Sequence, residues 1–225
     1  RCVFRTGPGG PCAGARPLKG LFITFEGIEG CGKSTQAARL KTYLESCGHT
    51  VRLTREPGGT TIGEAIRAIL LNPEYSAMMP TAELLLYQAA RAQHVEEVIQ
   101  PALTRGEIVI CDRFVDSTLA YQGAGRNLPE EVLSAALDER LTLRCVPDIT
   151  FLLDLSVETG LERSRNEQEW DRIEQESIAF HRRVRQGFLD IAERNPERVK
   201  VIDADADIEA IGESIRQHAD RIIGS

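Results

Sequence analysis

A chain of 225 residues with 42% apolar and 27% charged side chains has the size and composition of one folded α/β domain, not of a disordered segment. Its formal net charge of −7 counts against a polynucleotide partner, and no apolar run nears the roughly 20 residues that span a bilayer. The six cysteines (Cys2, Cys12, Cys31, Cys47, Cys111, Cys145) show neither CxxC spacing nor zinc-like pairing with histidine, so free thiols in a soluble, cytosolic protein are expected.

Residues 1–17 are rich in Gly, Pro and Arg and contain no acid. They are read as a disordered or non-native extension, with an organelle transit peptide as the alternative. Residues 18–225 are read as a single domain. Strands are expected at Leu21–Glu26, Val51–Thr54, Ile108–Cys111, Ile149–Leu155 and Val199–Asp203, each apolar throughout, as in a parallel sheet covered by helices on both faces. The intervals are helical, which predicts βαβ units and a three-layer α/β fold with a five-stranded parallel sheet. Pro80-Thr81 should open one helix and Pro101 close it. Asp171 with Glu174 resembles a capping box, followed by Ile173, Ser177, Phe180, Val184, Phe188 and Ile191 at helical spacing, which predicts a long helix from Asp171.

Between the first strand and the first helix runs Gly27-Ile28-Glu29-Gly30-Cys31-Gly32-Lys33-Ser34-Thr35, matching G-x-x-x-x-G-K-[ST]. Glycines let backbone N–H groups turn toward phosphate oxygens, and the helix N-terminus adds positive potential. Lys33 suits the β- and γ-phosphates of ATP, and the Ser34 hydroxyl suits Mg²⁺. A nucleotide switch or motor that transfers phosphate to water shares this motif. No N-K-x-D guanine motif is present, which favours transfer to a second substrate.

Two further segments follow strands: Thr54-Arg55-Glu56-Pro57-Gly58-Gly59, and Asp112-Arg113-Phe114-Val115-Asp116-Ser117-Thr118-Leu119-Ala120-Tyr121-Gln122. Between them Tyr87 and Arg91 share a helix face. With the phosphate loop, these segments closely resemble the motif set of the thymidylate kinases, P-loop nucleoside monophosphate kinases, from about Leu21 to the C-terminus. The resemblance implies transfer of the ATP γ-phosphate to dTMP, and a homodimer. It implies that Arg113 and Arg55 hold the acceptor phosphate, and that Asp112, with Glu56, organises magnesium. It also implies that Glu29 meets the sugar 3′-hydroxyl, Tyr87 stacks on the base and Arg91 bonds a carbonyl edge of it. Tyr121 and Gln122 would close the pocket. Family members usually carry Phe at Tyr87, and either ring can stack. Another nucleoside monophosphate kinase or a deoxynucleoside kinase is the rival reading.

In this family a lid, here about residues 160–173, closes over ATP. Because the phosphate loop holds no arginine, the catalytic cation should come from Arg163, Arg165 or Arg172, with Arg165 the expected one. This lid also carries Glu167 and Glu169, where basic residues and glycine are usual. The four histidines suggest no catalytic constellation.

Overall fold

The computed structural model describes residues 20–137, 145–167 and 170–224, with no side-chain description at 166 and 167. The expected extension at 1–17, and Glu167 and Glu169 as lid side chains, lie outside what is described. Five strands form one parallel sheet in the order β2-β3-β1-β4-β5. They are β1 (Phe22–Glu26), β2 (Val51–Arg55), β3 (Ile108–Asp112), β4 (Ile149–Asp154) and β5 (Val199–Asp203). The three central strands, β3, β1 and β4, are almost wholly buried. The edge strands are not: β2 is half open along its length and β5 buries only Val199 and Ile202, so apolar-throughout holds only where helices cover both faces.

Alternation of side chains across the sheet feeds two clusters. Ile23, Phe25 and Ile110 join Leu40 and Leu44 of α1 (Lys33–Ser46). Phe22, Val109 and Cys111 face Val95, Ile99 and Ala102 on the other side. Each fully buried Val, Leu, Ile or Phe among them stabilises the fold by roughly 1.5–3 kcal/mol. Around the sheet lie α2 (Thr61–Leu71), α3 (Pro80–His94), α6 (Glu130–Ala136), α7 (Val157–Glu167), α8 (Ile178–Arg194) and α9 (Ile208–Ile223), with short α4 (Gln100–Thr104) and α5 (Val115–Thr118).

Two helix expectations need correction. Pro101 does not close the helix that Pro80 opens. The chain loosens into a π-helical stretch at Val95–Ile99, where the Gln100 N–H reaches back to the Val95 carbonyl, and Pro101 then sits in the first turn of α4. The wider turn absorbs the register slip around a residue with no N–H to donate. The capping box at Asp171 does form: Asp171 Oδ1 accepts from the Ile173 and Glu174 N–H groups, and Glu174 Oε2 accepts from the Asp171 N–H. Yet it closes only a turn. The long helix starts at Ile178, with Ser177 Oγ accepting from the Phe180 N–H. Helix α7 runs through Glu167 and so takes in residues 160–167 of the expected lid.

Candidate active site

The phosphate loop leaves the C-terminal end of β1, deep in the sheet. Gly30 adopts φ 67°, and a Cβ there would come within 2.0 Å of the Gly160 carbonyl oxygen; a Cβ on Gly160 would meet the Glu29 carbonyl at 2.5 Å. The loop and the lid helix α7 therefore touch backbone to backbone, which only paired glycines permit. Helix α1 begins at Lys33 with no side-chain cap, leaving its first N–H groups directed at the loop, as an anion site requires. Lys33 is buried and donates to the Ile28 carbonyl at 2.7 Å. Ser34 Oγ donates to Asp112 Oδ2 at 2.5 Å, so the end of β3 meets the start of α1.

That pair bears on the magnesium expectation. Among the described residues no cluster of three or more His, Cys, Asp or Glu could cage a metal. Mg²⁺ needs no such cage: it keeps waters and substrate phosphates and takes one or two hard protein oxygens. The Ser34–Asp112 pair fits it. Glu56, the other expected ligand, lines the same cleft; its buried carboxylate accepts from Arg91 Nε at 2.8 Å and lies 3.0 Å from His94 Nδ1, one contact on each oxygen.

A cleft of about 340 Å³ opens beside the loop. It brings together Glu29, Gly30, Lys33, Ser34, Arg55, Glu56, Tyr87, Arg91, Asp112, Arg113, Tyr121 and Gln122 from four separate stretches of sequence. Gly27, Ile28, Cys31, Gly32 and Thr35 belong to the loop itself. Arg113 has φ 71°, a left-handed conformation that costs a non-glycine residue on the order of 1 kcal/mol or more. It is held there by its own contacts, donating to the Gly27 carbonyl (2.8 Å) and to Glu29 Oε1 (3.2 Å), with its guanidinium 5.1 Å from the Tyr121 ring centre. The Tyr121 hydroxyl donates to the same Glu29 oxygen. Burial alone would raise the Glu29 pKa, but His181, Arg113, Lys33 and Tyr121 outweigh it and hold the carboxyl down at about 2. Glu29 is an anion set among cations.

Arg91 is almost fully buried, and its position is dictated by protein. It donates to Glu56, to Gln88 Oε1 (2.6 Å), to the Phe114 carbonyl (3.0 Å) and to Thr118 Oγ1 (2.9 Å). His94 extends the chain, its Nε2 lying 2.6 Å from Thr54 Oγ1. Tyr87 lies one turn earlier on α3, its hydroxyl pKa pushed up by burial and by the Glu83 charge. Gln122 sits in a second π-helical stretch, Leu119–Gly125, where its amide donates to buried Glu83 at 2.8 Å. The wide turn lets Tyr121 and Gln122, adjacent in sequence, both face inward. Arg55 stays at the mouth, more than half exposed and paired to Glu64 at 3.0 Å.

The three lid arginines separate. Arg172 is buried, donating to the Leu70 carbonyl and pairing with Glu83 at 2.6 Å. Arg163 pairs with Asp205 at 3.4 Å. Arg165 does not line the cleft; its guanidinium lies 5.7 Å from the Trp170 ring centre.

Sequence reasoning missed three groups. Arg67 lines the cleft and donates to the Pro57 carbonyl at 3.0 Å. Glu26, its pKa raised to about 8 by burial and then by the Asp116 charge, accepts from the Phe114 N–H and the Ser117 hydroxyl and so ties the Asp112–Gln122 segment to β1. His181 is completely buried 3.4 Å from Glu29 Oε2. Arg67 was open to detection, four residues before Leu71 on the amphipathic α2; the other two depend on contacts across 91 and 152 positions.

Comparison with known proteins agrees. A family model described as Thymidylate kinase matches residues 25–215. The thymidylate kinase of Geobacter sulfurreducens is 53% identical over 202 residues, covering 87% of this chain and 94% of that protein. That of Deinococcus radiodurans is 52% identical over 186 residues, covering 83% and 89%. A crystal structure of thymidylate kinase from Ehrlichia chaffeensis superposes with a TM-score of 0.71 at 37% identity, covering 89% of this chain and 98% of that one.

Proposed function

The chain belongs to the thymidylate kinase family, and on that premise we propose how its cleft divides the work between two nucleotides. The enzyme is an ATP-dependent phosphotransferase that converts ATP and dTMP into ADP and dTDP. The loop 27–35 would hold the ATP phosphates through its N–H groups, with Lys33 on the β- and γ-oxygens. Ser34 and Asp112 would hold magnesium, which would neutralise charge building between the phosphates.

Arg113 and Arg55 would grip the acceptor phosphate, where a planar guanidinium makes paired contacts to two oxygens. Arg113 is already fixed and Arg55 is free to swing from Glu64, which suits a fixed jaw and a moving one. Glu29 would accept the sugar 3′-hydroxyl, and Tyr121 would crowd the 2′ position. Tyr87 would stack on the thymine. Arg91 keeps little donor capacity for a base carbonyl, because four contacts already use it, so we assign it chiefly to holding Glu56, Gln88 and Thr118 in place. Lid closure over ATP would exclude water, the competing acceptor, and would recruit Arg165, which is exposed beside Trp170, as the lid cation.

The observation that carries this reading is the Ser34–Asp112 contact at 2.5 Å, because it sets the loop for the donor beside the Asp-Arg segment for the acceptor. We also propose a homodimer in a reducing cytosol. In support, Ile62 and Ile69 on α2 and Leu85 on α3 are 54%, 42% and 57% exposed, and Cys31, Cys47 and Cys111 are free thiols. No helix among the described residues is long and apolar enough to cross a membrane.

The test is ADP release with MgATP and, in turn, dTMP, dUMP, UMP, CMP, AMP, thymidine or no acceptor. Turnover is expected with dTMP and should fall on the order of 10³-fold in Lys33→Ala. Turnover with thymidine, or without any acceptor, would contradict the reading.

A further inference from the structure

His181 takes no part in the reading above, yet it occupies an unusual position. It lies in the first turns of α8, is fully buried, and packs edge-on against the Phe180 ring at 5.3 Å. Among the described residues, neither of its ring nitrogens has a hydrogen-bond partner, and the same holds for Glu29 Oε2. Its Nδ1 lies 3.4 Å from that oxygen. A buried carboxylate oxygen and a buried imidazole, each without a hydrogen bond, cost more apart than together.

The geometry on the other side of Glu29 shows what the pair would do. Oε1 is already fixed by the Tyr121 hydroxyl and by Arg113. That leaves rotation of the carboxylate about its last bond to be settled at Oε2, and His181 is the side chain facing it. His181, Arg113 and Lys33 all favour the charged form of Glu29, but of these only His181 faces Oε2, where the orientation of the carboxylate is settled. Helix α8 is a firm support, because Phe180 and Val184 press against Gly125, where a Cβ would come within 2.7 Å and 2.9 Å of them, and because Tyr121 packs on Phe188 at 6.0 Å.

We propose that His181 is a positioning residue for the acceptor sugar: Nδ1–H donates to Glu29 Oε2 and turns the carboxylate so that it selects a nucleotide with a free 3′-hydroxyl. The inference rests on the reading of Glu29 as the partner of that hydroxyl. His181 acts through the carboxylate and makes no contact with substrate.

The experiment measures kcat/KM for dTMP and for its 3′-deoxy analogue, with MgATP, in wild type and in H181F, H181N and H181Q. Asparagine can place its amide where Nδ1 sits. Phenylalanine fills the space without a donor, and glutamine reaches the place of Nε2 instead. The preference for dTMP over the 3′-deoxy analogue should fall about tenfold in H181F, as loss of one hydrogen bond to a charged group implies, with KM for dTMP raised and KM for ATP unchanged. H181N should restore the preference. H181Q should behave like H181F, and serves in its place if H181F does not fold. Because the ratio is taken on one preparation, loss of folded protein cancels from it. A wild-type ratio in H181F and H181Q, whatever their melting temperatures, would overturn the proposal, as would an H181N as poor as H181F. If wild type phosphorylates dTMP but does not distinguish the two acceptors, the Glu29 reading falls and the proposal with it.

Discussion

The floor of the cleft and its lid both carry arginines, but they use them in opposite ways. On the floor, Arg91 is buried and Arg113 partly so, and protein acceptors occupy most of their donors. In the lid, Arg163 is about two-fifths exposed with two long contacts, to the Ala204 carbonyl and to Asp205, and Arg165 is exposed beside Trp170. The floor spends its cations on holding the site's shape, so that the acceptor meets groups already in position. On the proposed reading, the less committed lid cations would follow charge that appears only when both nucleotides are bound. Arg172 shows that position in sequence does not decide the class. It belongs to the lid segment yet is buried against Leu70 and Glu83, and it behaves as floor.

This contrast can be broken most sharply at Arg91. Truncating one partner of a buried pair leaves the other charge uncompensated, so Arg91→Ala should destabilise the protein by about 3–5 kcal/mol in chemical denaturation. A loss under about 1 kcal/mol, with KM for dTMP raised, would instead make Arg91 a base-reading residue, as the family resemblance first suggested.

Glu29 offers a second, pH-dependent test of how committed the floor is. Its folded pKa of about 2 lies below the ordinary 4.5, so its contribution to stability is complete above about pH 4.5 and is lost as pH falls toward 2. The stability gap between wild type and Glu29→Gln should therefore narrow by about 3 kcal/mol between about pH 6 and about pH 2. A gap that stays constant across that range would mean the surrounding cations do not favour its charge.

For the lid, Arg165→Ala should lower kcat about 10²-fold while leaving the melting temperature near wild type. Arg172→Ala should do the reverse and lower stability first. If Arg165→Ala keeps full kcat, the catalytic role moves to Arg163, whose pair with Asp205 would then have to open.

The sheet and the donor site were legible because their signals are local. A strand buried on both faces needs an unbroken apolar run, and a phosphate loop needs its glycines, lysine and hydroxyl within nine consecutive residues. The bounds of β5 matched, and those of the other strands shifted by one residue. Helix ends were less legible where a local motif competes with tertiary packing. Asp171 and Glu174 satisfy each other as a capping box should, but Ile173 and Arg172 are drawn into the core and against Leu70 before a helix can propagate. Pro101 failed as a stop because a π-turn, which leaves no trace in composition, took up its missing donor.

By itself, then, the sequence determined the parallel sheet, the loop for ATP and the family motifs that line the acceptor cleft, since each is written in neighbouring residues and short periods. Only the tertiary structure decided which charged side chains are held by other side chains and which stay exposed. Glu56 meets Arg91 and His94, Arg172 meets Glu83, and His181 is the neighbour of Glu29 across 152 positions. Those assignments depend on burial and on distances between remote segments. A charged residue reads the same in sequence whether its partner is a substrate or another side chain.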